Sequence, residues 1–492
     1  MDELHLPYVL PVLILAGWGI LVLLMTPFFR ETGRGWNAAI SPWSASLLGM
    51  GLAAWALSRQ WGDPGFIGTT AYGMVHVDRF GSYLGVIVVS VGFMTQLFSA
   101  RFLEREGYEQ GEFHALMLFA LAGMVLMLQT TNLMMILIGL EIFSLTLYVL
   151  CGLTRGRARS IESALKYFLL GAFSSGFLVY GLALLFGATG SLNLVDIAGQ
   201  ADHASSPMLV MGLGLVIVGL GFKIAIVPFH QWVPDVYTGA PTNVTAFMAA
   251  ATKIVAFAAL IRVLDGAFVH QPALWVPIIT FLAVATMTVA NLVALAQTNI
   301  KRLLAFSSIA HAGYLLIALV CVRDIGVQAI VFYLTTYAFM TVGAFAVAAA
   351  VGGGDRAEER GYDFITSWAG LGARRPFLAV AMTIFLLSMA GIPPTGGFFG
   401  KYLIFQAAVE SKLWMLAIVG SLNAVIGAYY YLNVVLTMWF KHPEGDAAAT
   451  GTSPLPWSYA AVLTIAIIAT LYLGILPSRV LELGERIAST LI

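Results

Sequence analysis

Glu141, Lys166, Lys223, Lys253 and Lys401 are ionisable side chains set inside apolar stretches long enough to cross a membrane. A charge in hydrocarbon costs several kcal/mol unless it faces a bundle interior or a wet cavity, so such residues mark routes for ions or protons. The chemistry open to them is reversible protonation, because a lysine amine in a low-dielectric pocket releases its proton more readily than one in water. A carboxylate about 6 Å away, at an effective dielectric near 20, changes the energy of an ammonium by roughly 3 kcal/mol. Varying that separation would switch a lysine between charged and neutral. Glu141, in NLMMILIGLEIFSLTLYVL, reads as the only carboxylate within a span and as the partner of such a lysine.

Lys223 follows an apolar and glycine run and stands five residues before Pro228, with His230 two residues beyond that proline. Lys253 lies midway along PTNVTAFMAAATKIVAFAALIRVL, where its stem has no path to either headgroup layer. Lys401 follows a second Pro/Gly-rich interruption, SMAGIPPTGGFFGKYLIF. Lys166 sits close to Glu162 and has the alternative of snorkelling to the surface. His230 and His311, the latter in AFSSIAHAGYLL, are candidate proton relays, whereas His114, at the start of the fourth span, reads as interfacial. Cys151 and Cys321 are isolated and make neither a metal site nor a disulfide framework. The glycines of GLGLVIVGLG follow no strand and fit close helix packing better than a phosphate loop. No paired axial histidines suggest haem, so no redox centre or cofactor is expected in this chain.

The elements that must position these residues follow from composition. With 492 residues, 60% apolar, 10% charged and a mean hydropathy of +0.88, the chain is expected to be an all-α polytopic membrane protein. Apolar runs of spanning length number fourteen, with the fourth (113–131) and fifth (132–153) nearly continuous and the second at 37–58. The acidic start MDELHLPYVLP leads into a full-length apolar run, read as a retained first helix and not a signal peptide. Zero net charge provides no field for nucleic acid. If odd-numbered loops are cytoplasmic they hold the larger share of basic residues, among them Arg30, Arg34, Arg101, Arg105, Arg155, Arg157, Arg159, Lys301, Arg302, Arg356 and Arg360. Both termini then face away from the cytoplasm.

A weak internal repeat runs at an offset of 165 to 167 residues: Gln129-Thr130-Thr131-Asn132 resembles Gln297-Thr298-Asn299, and Val227-Pro228 resembles Ile392-Pro393. It implies two inverted five-helix repeats, helices 4–8 and 9–13, with discontinuous helices 7 and 12 whose prolines free backbone groups toward a cavity. The expected divisions are 1–111, a three-helix segment; 112–265 and 266–441, the two half-channels; and 442–492, a terminal helix. An offset of 165 sets Lys401 opposite Val236 and not Lys223, and Asn423 stands near the place of Lys253, so the halves are not equivalent.

The string GFKIAIVPFHQWVPDVYTGAPTNVTAFMAAATK, with GLEIFSLTLYVL before it and GIPPTGGFFGKYLIF after it, resembles the antiporter-like membrane subunits of respiratory complex I. ALKYFLLGAFSSGFLVYG, and lysine rather than glutamate at Lys401, resemble one branch of that family. The resemblance implies fourteen spans and proton translocation within the membrane arm of NADH:quinone oxidoreductase. Glu141 and Lys223 would be the charge pair, Lys253 the central lysine, Lys401 the exit residue, and Lys166 and His311 members of the polar axis. It also implies other membrane-arm and peripheral-arm subunits as partners, with NADH, FMN, iron-sulfur clusters and quinone bound by those subunits, in a bacterial inner membrane. No long lateral helix is expected after the last span. Thr238 and Asn243 depart from the family pattern, where Glu and Pro are usual, and are expected to affect local capping. A subunit of a multi-subunit sodium/proton antiporter shares most of these features.

Overall fold

The computed structural model describes residues 5–32, 41–106, 111–154, 156–201, 207–352, 363–442 and 454–488. Arg34, Arg155, Arg356 and Arg360 lie outside the described residues, as do the side chains of Arg30 and Arg105. Long apolar runs leave backbone groups little to bond with except one another, and the chain is accordingly almost all helix. In order come α1 (Leu6–Thr32), α2 (Pro42–Gly62), the antiparallel strands β1 (Gly68–Thr70) and β2 (Val75–Val77), α3 (Arg79–Glu106), α4 (Gly111–Leu128), α5 (Leu133–Cys151) and α6 (Ala158–Thr189). There follow α7 (Leu194–Ala201), α8 (Pro207–Ile224), α9 (Trp232–Gly239), α10 (Thr242–Phe247), α11 (Lys253–Ile261), α12 (Pro272–Ala294), α13 (Ile300–Leu319) and α14 (Arg323–Gly352). The last are α15 (Leu371–Arg374), α16 (Pro376–Ala390), α17 (Gly396–Glu410), α18 (Trp414–Phe440), α19 (Trp457–Ile475) and α20 (Ser478–Ala488).

Among the described residues twelve helices are long and apolar enough to cross a membrane. The twelve do not include α2, and the expected twelfth span is divided between the shorter α16 and α17. The fourth and fifth runs are separate helices because Asn132 caps α5, accepting a hydrogen bond from the Met134 N–H at 2.9 Å. Asn299 caps α13 in the same way, through the Arg302 N–H at 3.1 Å.

The innermost span, Thr242–Ala267, joins α10 and α11 through a π-helical turn at Met248–Thr252 and is wholly buried; α13 and α14 are nearly so. Around them α6, α12 and α18 turn large apolar side chains outward, among them Phe173, Phe281 and Val425, as lipid requires. Polar residues on the inner helices therefore have only protein, or water held within it, as partners.

Both proline breaks have the same construction. After α8, Ala225 takes a left-handed φ of 68° and the Ile226 N–H bonds back to the Gly221 carbonyl at 3.0 Å. After α16, Gly391 has φ 85° and the Ile392 N–H bonds back to the Leu387 carbonyl at 3.0 Å. A short backbone bridge also lies at each capping asparagine, Asn132 with Asn193 and Asn299 with Phe364.

Two sequence expectations are corrected here. His114 is not interfacial: it is buried against α3, with Gln96 Nε2 at 2.5 Å from its Nδ1. Glu141 is not the only carboxylate in a span, since Asp265 is buried in the last turn of Thr242–Ala267. Asn243 does serve the start of α10, its Oδ1 accepting from the Val244 N–H at 3.0 Å while Nδ2 donates to Ser99 Oγ of α3, and Thr238 donates to the Pro234 carbonyl within α9.

Candidate functional site: a buried row of lysines, tyrosines and serines

Lys223 occupies the last turn of α8 because the helix stops at Ile224, and its ammonium is buried with no route outward. Nζ donates to Tyr148 Oη at 3.2 Å and lies 5.1 Å from the Tyr167 ring centre and 5.8 Å from that of Phe143. Aromatic faces offset part of the lost hydration without neutralising the charge. Glu141 is half-buried on α5 and accepts a short hydrogen bond from Ser175 of α6. It acts on Lys223 electrostatically but forms no ion pair with it.

Lys253 follows the π-helical turn directly, an irregularity that often marks functional helices. Its ammonium donates to the Ser308 carbonyl and, at 2.8 Å, to Ser308 Oγ; Tyr337 Oη donates to the same hydroxyl at 2.8 Å. One turn along α13, His311 Nδ1 lies 2.5 Å from Tyr333 Oη and Nε2 lies 3.2 Å from Tyr431 Oη. Tyr431 also shares a short hydrogen bond with Ser307. Two hydrogen-bonded strings thus meet at the adjacent residues Ser307 and Ser308, one ending on Lys253 and the other on His311. A neutral imidazole donates from one nitrogen and accepts at the other, so His311 with a tyrosine on each side can pass a proton across itself by exchanging tautomers.

Lys401, in the second turn of α17, reaches back across the break to donate to the Ala390 carbonyl at 3.1 Å and lies 4.9 Å from the Tyr314 ring centre. Tyr314 Oη accepts from Asn291, which in turn bonds Asn423 at 3.2 Å and Tyr430 at 3.0 Å. Asn423 sits in this amide and phenol cluster. Lys253 and Lys401 both act electrostatically on His311. At Gly391 an added Cβ would fall 2.9 Å from Lys401 Cδ, and the residue has φ 85°. Gly391→Ala is therefore expected to displace Lys401 and cost ~1–2 kcal/mol, seen as a lower unfolding midpoint of the purified protein in detergent.

Lys166 and His230 are not brought into this row. Lys166 pairs with Glu162 and Asp235, each at 2.7 Å, on the wall of an open cavity of about 420 Å³. His230 is half-buried beside the break, with Nδ1 lacking a hydrogen-bond partner. Tyr148, Tyr333, Tyr337, Tyr431 and the serine pair were not singled out in the sequence. The available signal was Ser307-Ser308 and His311 at helical spacing on one apolar helix. Among the described residues no three His, Cys, Asp or Glu side chains are grouped to hold a metal ion.

Residues 130–427 match the family model described as NADH:quinone oxidoreductase/Mrp antiporter, transmembrane. The chain is 43% identical to the NADH-quinone oxidoreductase subunit N 1 of Solibacter usitatus, over 98% of this chain and 97% of that one. It is 41% identical to subunit N of Trichlorobacter lovleyi, over 99% and 97%. In solved structures it resembles a chain of respiratory complex I from Thermus thermophilus with bound aureothin, with 36% identity, TM-score 0.78 and coverage of 96% and 99%. A chain of the Mrp complex from Dietzia shares the fold at TM-score 0.84 with 21% identity, covering 98% and 97%. With relatives above 40% identical over nearly its whole length, this chain belongs to the NADH-quinone oxidoreductase subunit N family.

Proposed function

We propose that the chain is a proton-translocating subunit of the membrane arm of a bacterial NADH:quinone oxidoreductase, embedded in the inner membrane with other complex I subunits as partners. The observation that carries this is the buried set of two hydrogen-bonded strings, Lys253–Ser308–Tyr337 and Ser307–Tyr431–His311, that adjoin on α13, with Lys401 buried against the Tyr314 ring nearby. NADH, FMN, iron-sulfur clusters and quinone belong to the partner subunits. Redox chemistry there drives proton movement here. The sodium/proton antiporter alternative draws on a family model that both groups share and on a fold match at 21% identity, against relatives above 40% identical for the complex I reading.

The architecture proposed is fourteen spans, counting α2 and the divided pair α16 and α17, in two inverted repeats: 112–265 and 266–441, flanked by 1–111 and 442–492. The matched left-handed residues Ala225 and Gly391 and the paired bridges at Asn132 and Asn299 support it. Five helices per repeat is an odd number, so the matched features fall on opposite faces.

In this mechanism Glu141 rests on Ser175 until a neighbouring subunit shifts it toward Lys223. At about 6 Å the carboxylate would stabilise the ammonium by ~3 kcal/mol, enough to load it; withdrawal drives the proton onward. Lys253 receives it, Ser308, His311 and the tyrosines carry it, and Lys401 discharges it to the far side, with His230 an auxiliary group at the first break. Glu141→Gln and Lys223→Met are expected to lower the protons pumped per NADH oxidised while the complex still assembles, measured in proteoliposomes of the purified complex. Pumping at the wild-type ratio in both variants would sink the assignment.

A further inference from the structure

The two breaks fix the repeat register more tightly than the sequence did. Ala225 and Gly391 lie 166 residues apart, as do the two back-bonded pairs, Ile226 to Gly221 and Ile392 to Leu387. In this register the partner of Lys401 is Asp235, not Val236: each lies ten residues past the left-handed residue and on the short helix that follows the break. A residue unremarkable in sequence thus stands where the second half has its terminal lysine.

Asp235 is held from both halves. Its Oδ2 accepts from Lys166 of α6 at 2.7 Å, and its Oδ1 accepts from Arg302 of α13 at 2.8 Å. The cavity beneath it, about 420 Å³, is lined by charged groups from four loops or loop-proximal turns: Arg159, Glu162, Lys166, Asp235, Arg302 and Asp363. Lys301 pairs with Asp363 at 3.1 Å behind it. All of these lie at odd-numbered connections, the basic-rich side of the chain. One residue inward from Lys166, Tyr167 stacks on Trp232 of α9 with ring centres 4.5 Å apart, Trp232 stacks on Phe222, and Tyr167 faces the Lys223 ammonium. The charged cavity is thus separated from Lys223 by an aromatic layer carried on α6, α8 and α9, the first and last of which hold Lys166 and Asp235.

We propose that Asp235 is the gate residue of the cytoplasmic mouth, the inverted counterpart of Lys401, and that the cavity it shares with Lys166 and Arg302 is where this half takes up protons. The inference rests on the proton-translocating reading above and adds the intake side. The opposite signs suit opposite tasks. A fixed carboxylate draws protons toward Lys166, while a buried ammonium with no carboxylate beside it favours release. Asp235 acts here as a positioning residue: it sets the proton affinity of Lys166 and ties the post-break helix to the second half through Arg302.

The test uses the whole complex in inverted membrane vesicles, where the cytoplasmic face meets the buffer and its pH can be varied. Asp235→Asn removes one of the two carboxylates paired with Lys166, Glu162 remaining at 2.7 Å, so a higher proton concentration is needed to keep the amine loaded. The pH of half-maximal pumping should move toward acid by about one unit, with Asp235→Glu restoring it. Arg302→Gln leaves the carboxylate to Lys166 alone and should move the midpoint toward alkaline pH. Opposite shifts are not what simple structural damage produces. If Asp235→Asn complexes fail to assemble, Arg302→Gln and Asp235→Glu carry the test. Lys223→Met separates the two failures: normal pumping in that variant overturns the translocation reading. Lost pumping there, with unshifted midpoints in the assembled Asp235 and Arg302 variants, overturns the gate alone.

Discussion

Lys253→Met is expected to reduce proton pumping by at least about tenfold while the complex assembles at its normal level. Methionine fills nearly the volume of the lysine stem, and volume-conserving exchanges in a packed interior usually cost less than about 1.5 kcal/mol. No polar group is orphaned, because Ser308 Oγ keeps its bond from Tyr337 at 2.8 Å. What disappears is the protonatable amine in a span that is wholly buried. A proton crossing that gap without an amine must be carried through apolar surroundings, and each 1.4 kcal/mol added to the barrier is about a factor of ten in rate. Pumping measured against NADH oxidation in proteoliposomes checks this; a wild-type ratio would remove Lys253 from the path. Ser308→Ala should be milder, since the ammonium retains the Ser308 carbonyl.

The second large effect concerns stability. Arg262 and Asp78 are each about 1% exposed and form a two-pronged pair, with both N–H···O distances 2.8 Å. Arg262 also donates to the Leu128 carbonyl at 2.9 Å, and Asp78 accepts from the Gly81 N–H at 2.7 Å. This clasp ties the end of the innermost span to the end of α4 and the start of α3. Asp78→Asn leaves an uncompensated buried guanidinium and is expected to cost ~3–5 kcal/mol. The double variant Asp78→Asn with Arg262→Met should recover most of that, because an apolar replacement of both charges is often neutral. Thermal unfolding and the amount of assembled complex provide the measurements. Equal loss in the single and double variants would show that the pair's charge is not the cause.

The residues most legible in the sequence were those whose cost is local. Lys223, Lys253 and Lys401 each stand out within a single apolar window, since the penalty for an ammonium in hydrocarbon does not depend on knowing its neighbours. The breaks at Pro228 and Pro393–Pro394 were legible for the same reason: a missing N–H and a blocked helix turn act within a few residues. Lys166 was ambiguous because its two outcomes, buried relay or surface pair, differ only in what lies across from it. That proved to be Asp235, 69 residues away, at the wall of an open cavity. Asp78 and Arg262 escaped notice because each sits near the end of a helix, where a charge is unremarkable until its partner 184 residues away is seen.

By itself, the sequence determined the membrane class, the inner position of Lys223, Lys253 and Lys401, the two interruptions and the family, because hydropathy, proline chemistry and motif order are properties of contiguous residues. Only the tertiary structure decided which hydroxyls bond Lys253 and which bond His311, that Glu141 rests on Ser175 apart from Lys223, and that Asp235 and Lys401 stand equally far past their left-handed residues. Those facts depend on hydrogen-bond geometry over a few ångströms between helices far apart in the chain, and on a register that a one-residue shift in a weak repeat conceals. A buried charge announces its cost in one dimension, but its partner is chosen in three.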